Sequence, residues 1–334
     1  MLPAPRSIRE YLDRLPTTDL YFLNALRALR AAKVGSRLPP LRNIAPNVYA
    51  VGRTGVIVRY GREEDVDRLK QAGIKQLIYI ADDDFAAGAE DEHLPERYRR
   101  KLAAFAHSPW PKLRDAADIV IVPGSVLAAA YGEKALTLPP AWHRPPALTE
   151  HFRPDTIEIV HLGTGSHIAD LAALAPTIAE ALSVYPHARL TLFSGEQTPE
   201  PLRKHPQVRV RRPMAWWRYK LSLPRMRYQL ALYPLADTAF NRARSANKLY
   251  EHALVGAASL LSPNAALREA AGQNLSHLFV EGGRREWASR LMSDLADPEA
   301  LRRRADATRA HIAATDPLAR SVAAWRDILS AEFS

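Results

Sequence analysis

The chain has 334 residues, 47% of them apolar and 25% charged, with a formal net charge of +10 and no cysteine. That length suits two domains, the composition is that of a globular protein rather than a fibrous or disordered one, and the missing cysteines exclude disulfides and thiolate metal sites. No run approaches the roughly 18 apolar residues of a membrane span, and the opening MLPAPRSIREYLDRLP lacks the apolar core of a signal peptide, so a soluble, cytoplasmic chain is expected.

Along the chain, apolar periodicity predicts helices over Ile8–Leu15 and Tyr21–Lys33, ending in the turn-rich GSRLPPL. Strands are predicted at Val56–Val58 and Gln76–Ile80 around a helix at Glu63–Ala72, then a helix at Glu96–Phe105 and a strand at Asp118–Val122. A short strand at Leu136–Leu138 precedes LPPAWHRPPAL, whose four prolines make a stiff extended connector. The domain boundary is placed there, over 139–152. The second half predicts strands at Glu158–Leu162, Arg189–Phe193, Val208–Val210, Leu230–Tyr233, Ala257–Leu261 and His277–Phe279. Its helices are predicted at Ile168–Leu182, Pro213–Leu223, Asn247–Val255, Glu286–Leu295, Pro298–Ala314 and Ser321–Phe333. Strands alternating with helices imply an α/β fold with mainly parallel, doubly wound sheets.

The polar residues that could carry chemistry collect in the segments that follow strands, where such sheets bind ligands. Gly163-Thr164-Gly165-Ser166-His167 follows one strand and opens a helix; small residues let backbone N–H groups approach an anion, and the Thr and Ser hydroxyls add donors. Position 168 is Ile, so this is no dinucleotide fingerprint. His167 either donates to a ligand or caps the helix. Gly195 stands in the loop after the RLTLF strand. After ALYPL come Asn241, Arg242, Arg244, Ser245, Lys248 and Glu251; the last three are spaced i, i+3, i+6 along one edge of a helix. Cations and free N–H groups there suit a diphosphate. Asp82-Asp83-Asp84 ends a strand of the first half, either as oxygen ligands for Mg²⁺ or Mn²⁺ or as acids that orient or deprotonate a hydroxyl.

Ser245-Ala246-Asn247-Lys248-Leu249-Tyr250-Glu251-His252-Ala253-Leu254-Val255-Gly256 resembles the donor-sugar segment of GT-B glycosyltransferases, especially the bacterial family 4-like (group 1) enzymes of surface polysaccharide assembly. In those enzymes a loop of small and basic residues leads to a Lys and then to Glu-Tyr/His-x-x-x-Gly-x-Pro. The resemblance is clear over 157–330 and weak over 1–150. It implies two Rossmann-like doubly wound domains facing across a cleft: 1–145 on the acceptor side, 153–315 binding the nucleotide sugar, and 316–334 as a C-terminal helix that packs back on the first domain. It further implies a retaining, metal-independent hexosyl transfer from a nucleotide-sugar donor to a glycan or lipid-linked acceptor, with no cofactor besides the donor. The implied donor site is Gly163, Thr164, Gly165, Ser166, Gly195, Arg244, Ser245, Lys248 and Glu251, with Glu251 accepting from the ribose. His167, Asp83, Asp84 and Asn241 are the implied catalytic groups. The chain departs from the family's Glu-x7-Glu pattern: Ala243 stands where the first Glu belongs. Either Asn241 takes over the sugar contact or a different donor is used. The same departure motivates an inactive GT-B scaffold as an alternative.

Charge is uneven. Residues 201–250 hold twelve Lys or Arg against one acid, Asp237. Trp216, Trp217, Tyr219 and Tyr228 are interleaved with Arg218, Lys220, Arg225 and Arg227, a pattern of a membrane-interface surface or of a nucleic-acid stacking platform. No nucleic-acid module signature accompanies it, so no nucleic acid is expected. Peripheral contact with an anionic inner membrane is the preferred partner, and a nucleic-acid protein binding through the 203–248 face is the competing function.

Overall fold

The computed structural model describes residues 14–32, 38–153, 155–163 and 165–332. The helix predicted over Ile8–Leu15 lies largely outside them, as does Thr164. The chain forms two sheets. The first has six strands in sequential order: β1 (Leu41–Ala45), β2 (Val48–Val51), β3 (Thr54–Val58), β4 (Gln76–Ile80), β5 (Ile119–Val122) and β6 (Ala135–Thr137). β3 to β6 are parallel, and β1 and β2 extend them as antiparallel hairpins. Sequence patterning did not predict β1 and β2, because LRNIA mixes polar and apolar residues. Turn geometry closes these hairpins, with Asn47 at φ 61° and Gly52 at φ 57°.

TGVIV, QLIYI and IVIV are nearly unbroken apolar runs, as parallel strands covered on both faces require. Sequential parallel strands joined by right-handed crossovers place the connecting helices on one face. Val66, Leu69, Phe85, Leu102, Phe105 and Leu113 cover that face. The other face is buried by Leu20–Leu29 and by the helix Pro317–Ile328, which returns from the chain's far end. Trp325 of that helix is fully buried and donates its indole N–H to the Tyr21 carbonyl at 2.7 Å.

The second sheet is wholly parallel and ordered β11-β10-β7-β8-β9, from β7 (Ile157–His161), β8 (Ala188–Leu192), β9 (Val208–Val210), β10 (Leu230–Tyr233) and β11 (Ala258–Leu261). In chain order this is 3-2-1-4-5 read from the other edge, the doubly wound order whose direction reverses between β7 and β10. A final strand at His277–Phe279 is not formed. Gln273–Leu278 instead coils as 3-10 turns, leaving a single bridge from Phe279 to Leu261. The helix Asn247–Leu254 stops where Gly256 takes φ 73°, with Ala257 N–H on the His252 carbonyl and Gly256 N–H on Ala253, each at 3.0 Å. These paired bonds are a Schellman stop, and it sets the start of β11.

Candidate functional site

The switch point between β7 and β10 determines which side chains meet. β7 ends at His161 and leads through Leu162 and Gly163 towards a 3-10 turn at Gly165–His167 and the helix Ile168–Val184. β10 runs into Pro234–Asp237 and a short helix, Ala239–Arg242, capped by the Thr238 hydroxyl on the Asn241 N–H at 3.1 Å. Sequence reasoning took that stretch for a loop, since four residues are too few to show helical periodicity. Asp170, nearly fully buried, ties the two arms together. Its Oδ1 accepts from Ala236 N–H at 2.8 Å and from Asn241 Nδ2 at 3.3 Å, and its Oδ2 lies 3.6 Å from His167 Nδ1.

This cluster keeps polar capacity that the described residues do not satisfy. His161 Nδ1 and Nε2, His167 Nδ1, Asn241 Oδ1, and Arg244 Nε and Nη2 are all buried with no hydrogen-bond partner. Buried polar groups are normally paired, so a concentration of orphans marks a ligand position. Burial, assisted by the neighbouring cations Arg244 and Lys248, holds His167 well below the usual histidine range. Burial likewise lowers His161 to about 3. Both imidazoles are therefore neutral. Burial works most strongly against the charge of Arg244, but Asp83, Tyr233 and Tyr98 together outweigh it and raise the guanidinium's pKa.

The neighbouring turn of the site is internally paired. Lys248 Nζ donates to the Leu162 carbonyl at 2.8 Å and to Glu251 Oε2 at 2.6 Å; Tyr219 Oη donates to the same oxygen at 2.9 Å, and Asn247 Nδ2 to Oε1 at 2.7 Å. An ammonium has three donors, so one remains on Lys248. Glu251 is 2% exposed, and a ribose diol would have to share its occupied oxygens. Trp142 of the connector orients Asn247 by an indole bond of 2.9 Å. Ser245 lies at the start of this turn, its Oγ accepting weakly from Asn247 N–H at 3.4 Å.

The small residues crowd the strand ends. A Cβ on Gly163 would sit 2.2 Å from His161 Cε1 and 3.0 Å from His167 Cβ, so only glycine fits over the imidazole. Gly165 faces Gln197 of the turn that begins at Gly195, which itself takes φ 55°. Ser166 lies within the 3-10 turn.

Across from these loops stands the first sheet. Arg59, just after β3 and at φ 54°, bonds Asp82 at 2.9 Å, Asp83, and the Tyr98 hydroxyl at 2.9 Å. Asp82 also accepts from Thr17, and burial pushes its pKa up against the pull of Arg59. Asp84 is spent as the N-cap of Phe85–Glu90, accepting from Ala87 N–H at 3.0 Å. Thus Asp83 meets the Arg244 side of the site, whereas Asp84 turns into its own helix. A cavity of about 710 Å³ opens between the two sheets, lined by Pro95, Arg97, Tyr98, Lys101 and Gly165. Sequence reasoning missed His161, Arg59 and Tyr98; a histidine two residues before Gly163 and an arginine directly after the apolar run Val56-Ile57-Val58 were faint signals for the first two.

Two facing α/β units with a polar crevice at the switch point define a two-domain ligand-binding fold. No family model and no curated protein matches the sequence. Solved structures share the fold. TarM aligns at TM-score 0.58 and 9% identity, over 84% of this chain and 54% of TarM. Sucrose-phosphate synthase from Thermosynechococcus elongatus aligns at 0.53 and 13%, over 83% and 74%. Anabaena HepE in complex with UDP and glucose aligns at 0.53 and 13%, over 83% and 78%. The chain thus spans about half of TarM's length, and it has the GT-B fold. Among the described residues, no helix is long and apolar enough to cross a membrane.

Proposed function

We propose that the protein is a glycosyltransferase that moves a sugar from a nucleotide-sugar donor onto a glycan or lipid-linked acceptor in bacterial surface glycoconjugate assembly, on the cytoplasmic side of the inner membrane. The observation that carries this is the orphaned polar cluster at the switch point, with Arg244 and the spare donor of Lys248 beside the Gly163 turn. Such groups suit a diphosphate. HepE, of the same fold, holds UDP and glucose.

In the transfer, the bond between the sugar's anomeric carbon and the diphosphate breaks, and its electron pair leaves on the phosphate. Arg244 and Lys248 offset that charge, in a buried site where such contacts count most. Asn241 Oδ1 and neutral His167 hold the sugar. The acceptor hydroxyl enters from the 710 Å³ cavity, oriented by Asp83, which Arg59 and Tyr98 hold in place, and as the new bond to the anomeric carbon forms its proton passes to the departing phosphate oxygen. We assign this acceptor-side role to Asp83 rather than to the capping Asp84. We read the chemistry as metal-independent, because Asp82 and Asp83 are already engaged by a guanidinium, and as retaining from the resemblance of the Ser245–Gly256 segment.

The test is calorimetry against UDP, GDP, CMP, dTDP and their sugars, with Mn²⁺ and with chelator, on the wild type, Arg244→Ala and Lys248→Ala. One nucleotide should saturate, at least tenfold more weakly in either variant and equally with chelator. Binding of no nucleotide would overturn the proposal; Mn²⁺-dependent binding would overturn its metal-free part.

A further inference from the structure

A second basic concavity shares no residue with the switch-point cluster. The sheet face carrying Glu158, Thr191 and Arg209 lies opposite the face covered by Ile168–Val184, and over β8 and β9 it forms a groove of about 700 Å³. Arg209, Arg211, Arg212, Arg218 and Arg227 line it, against the single acid Glu158. Arg209 pairs with Glu158 at 3.6 Å, and Arg227 is held by the carbonyls of Pro224 and Met226 at 2.9 and 2.6 Å. Arg211, Arg212 and Arg218 are exposed and have no side-chain hydrogen bond or ion pair among the described residues. A concave wall of one sign concentrates potential and recruits anions.

Apolar groups flank these cations. In the helix Trp216–Ser222, Trp216 turns inward to donate to Asp19 at 2.7 Å and Tyr219 turns inward to Glu251. Helical spacing puts Trp217, half-buried, and Leu221, i and i+4, on one side of this helix with Arg218 close by. Leu221 is 51% exposed, and Val210 at the end of β9 is 38% exposed. An aromatic ring and aliphatic side chains set among unpaired arginines match the boundary between lipid headgroups and acyl chains. A nucleic acid would need stacking rings over the cations, and the inward turn of Trp216 and Tyr219 withdraws two of them.

We propose that this groove and its rim dock the protein on a membrane surface, with phosphate headgroups of anionic phospholipid received by Arg211, Arg212 and Arg218, and Trp217, Leu221 and Val210 at the interface. We rest this on the membrane-facing role given above, not on sugar transfer. The experiment is flotation of the full chain with vesicles of phosphatidylcholine alone or mixed with phosphatidylglycerol, alongside nucleotide calorimetry on the same samples. The wild type should float only with the anionic vesicles. Arg211→Gln/Arg212→Gln/Arg218→Gln should partition roughly a hundredfold more weakly, at about a fivefold loss per cation, with unchanged nucleotide affinity. Leu221→Ser should weaken partitioning at fixed charge. Equal binding to neutral vesicles, an unaffected triple variant, or binding to an oligonucleotide without vesicle binding would overturn the proposal. Loss of nucleotide binding alone would bear on the transferase proposal and leave this one standing.

Discussion

The Lys248–Glu251 pair permits a quantitative test of what holds the donor-side turn. The side chains are 14% and 3% exposed, 2.6 Å apart, and closed in by Asn247, Tyr219 and the Leu162 carbonyl. Removing one member of a buried pair strands the other charge, at about 3–5 kcal/mol. Glu251→Gln keeps the volume and one acceptor oxygen but sets an amide against the ammonium, so the lower end, ~3 kcal/mol, is expected. Lys248→Met leaves the carboxylate two neutral donors and should cost about the same. The double variant replaces the pair as a unit and should lose much less than the sum, giving a coupling energy of about 2 kcal/mol. For a unit the size of the second sheet, each kcal/mol moves Tm by roughly 2–4 °C. Each single variant should therefore melt about 6–12 °C lower in near-ultraviolet circular dichroism at neutral pH. Burial also limits screening, so the drop should persist at high salt. Strict additivity, or single-variant shifts under about 2 °C, would show that the pair is not a buried structural unit.

Two further outcomes follow from the same cluster. Burial lowers His161 to about 3 and holds His167 and His252 well below the usual range, so the folded state keeps them neutral while the unfolded chain protonates them. Stability from this source is complete above about pH 6.5 and is lost as pH falls toward 3, by up to ~1.4 kcal/mol per histidine per pH unit; thermal melts at pH 7.5 and 5.5 should separate widely, and His252→Asn should narrow the gap, whereas a flat profile would refute it. Gly163→Ala places a methyl 2.2 Å from His161 Cε1 and should weaken nucleotide binding at least tenfold by calorimetry while circular dichroism stays native; unchanged affinity would remove the Gly163 turn from the site.

The parallel strands were legible because their apolar runs are unbroken, and every strand of the second sheet except His277–Phe279 falls close to its expected place. The Gly163 turn, Asn241, Arg244 and Lys248 were legible as a group because each follows a strand in the same half. Pairing was not. Asp82, Asp83 and Asp84 are neighbours in sequence, yet a guanidinium 23 positions or more away engages two of them and a helix start takes the third. Arg59 supplies that guanidinium from a φ of 54°, a conformation with no sequence signature outside glycine and asparagine. His161 is easily passed over: at the end of an apolar strand it reads as a core residue until the topology puts it beneath Gly163.

Ala243 shows how far a spacing pattern alone can mislead. Counted along the chain it occupies the place of a sugar-binding acid. In three dimensions it is 4% exposed and packs with Phe240 among Phe85, Leu102 and Phe105 of the opposite sheet's helices. Gly88 makes room for this contact, since a Cβ there would meet the Phe240 ring at 2.8 Å. The short helix Ala239–Arg242 is thus an apolar bearing between the two halves, and Asn241 reaches Asp170 from its other side. A carboxylate at 243 would be buried in that bearing. Ala243→Glu should therefore cost about 2–4 kcal/mol and should not raise sugar transfer. Ala243→Ser, which adds one hydroxyl, should fold and bind nucleotide nearly as the wild type does. A stable Ala243→Glu variant with faster transfer would place this side chain in the donor pocket and return the site to the Glu-x7-Glu plan.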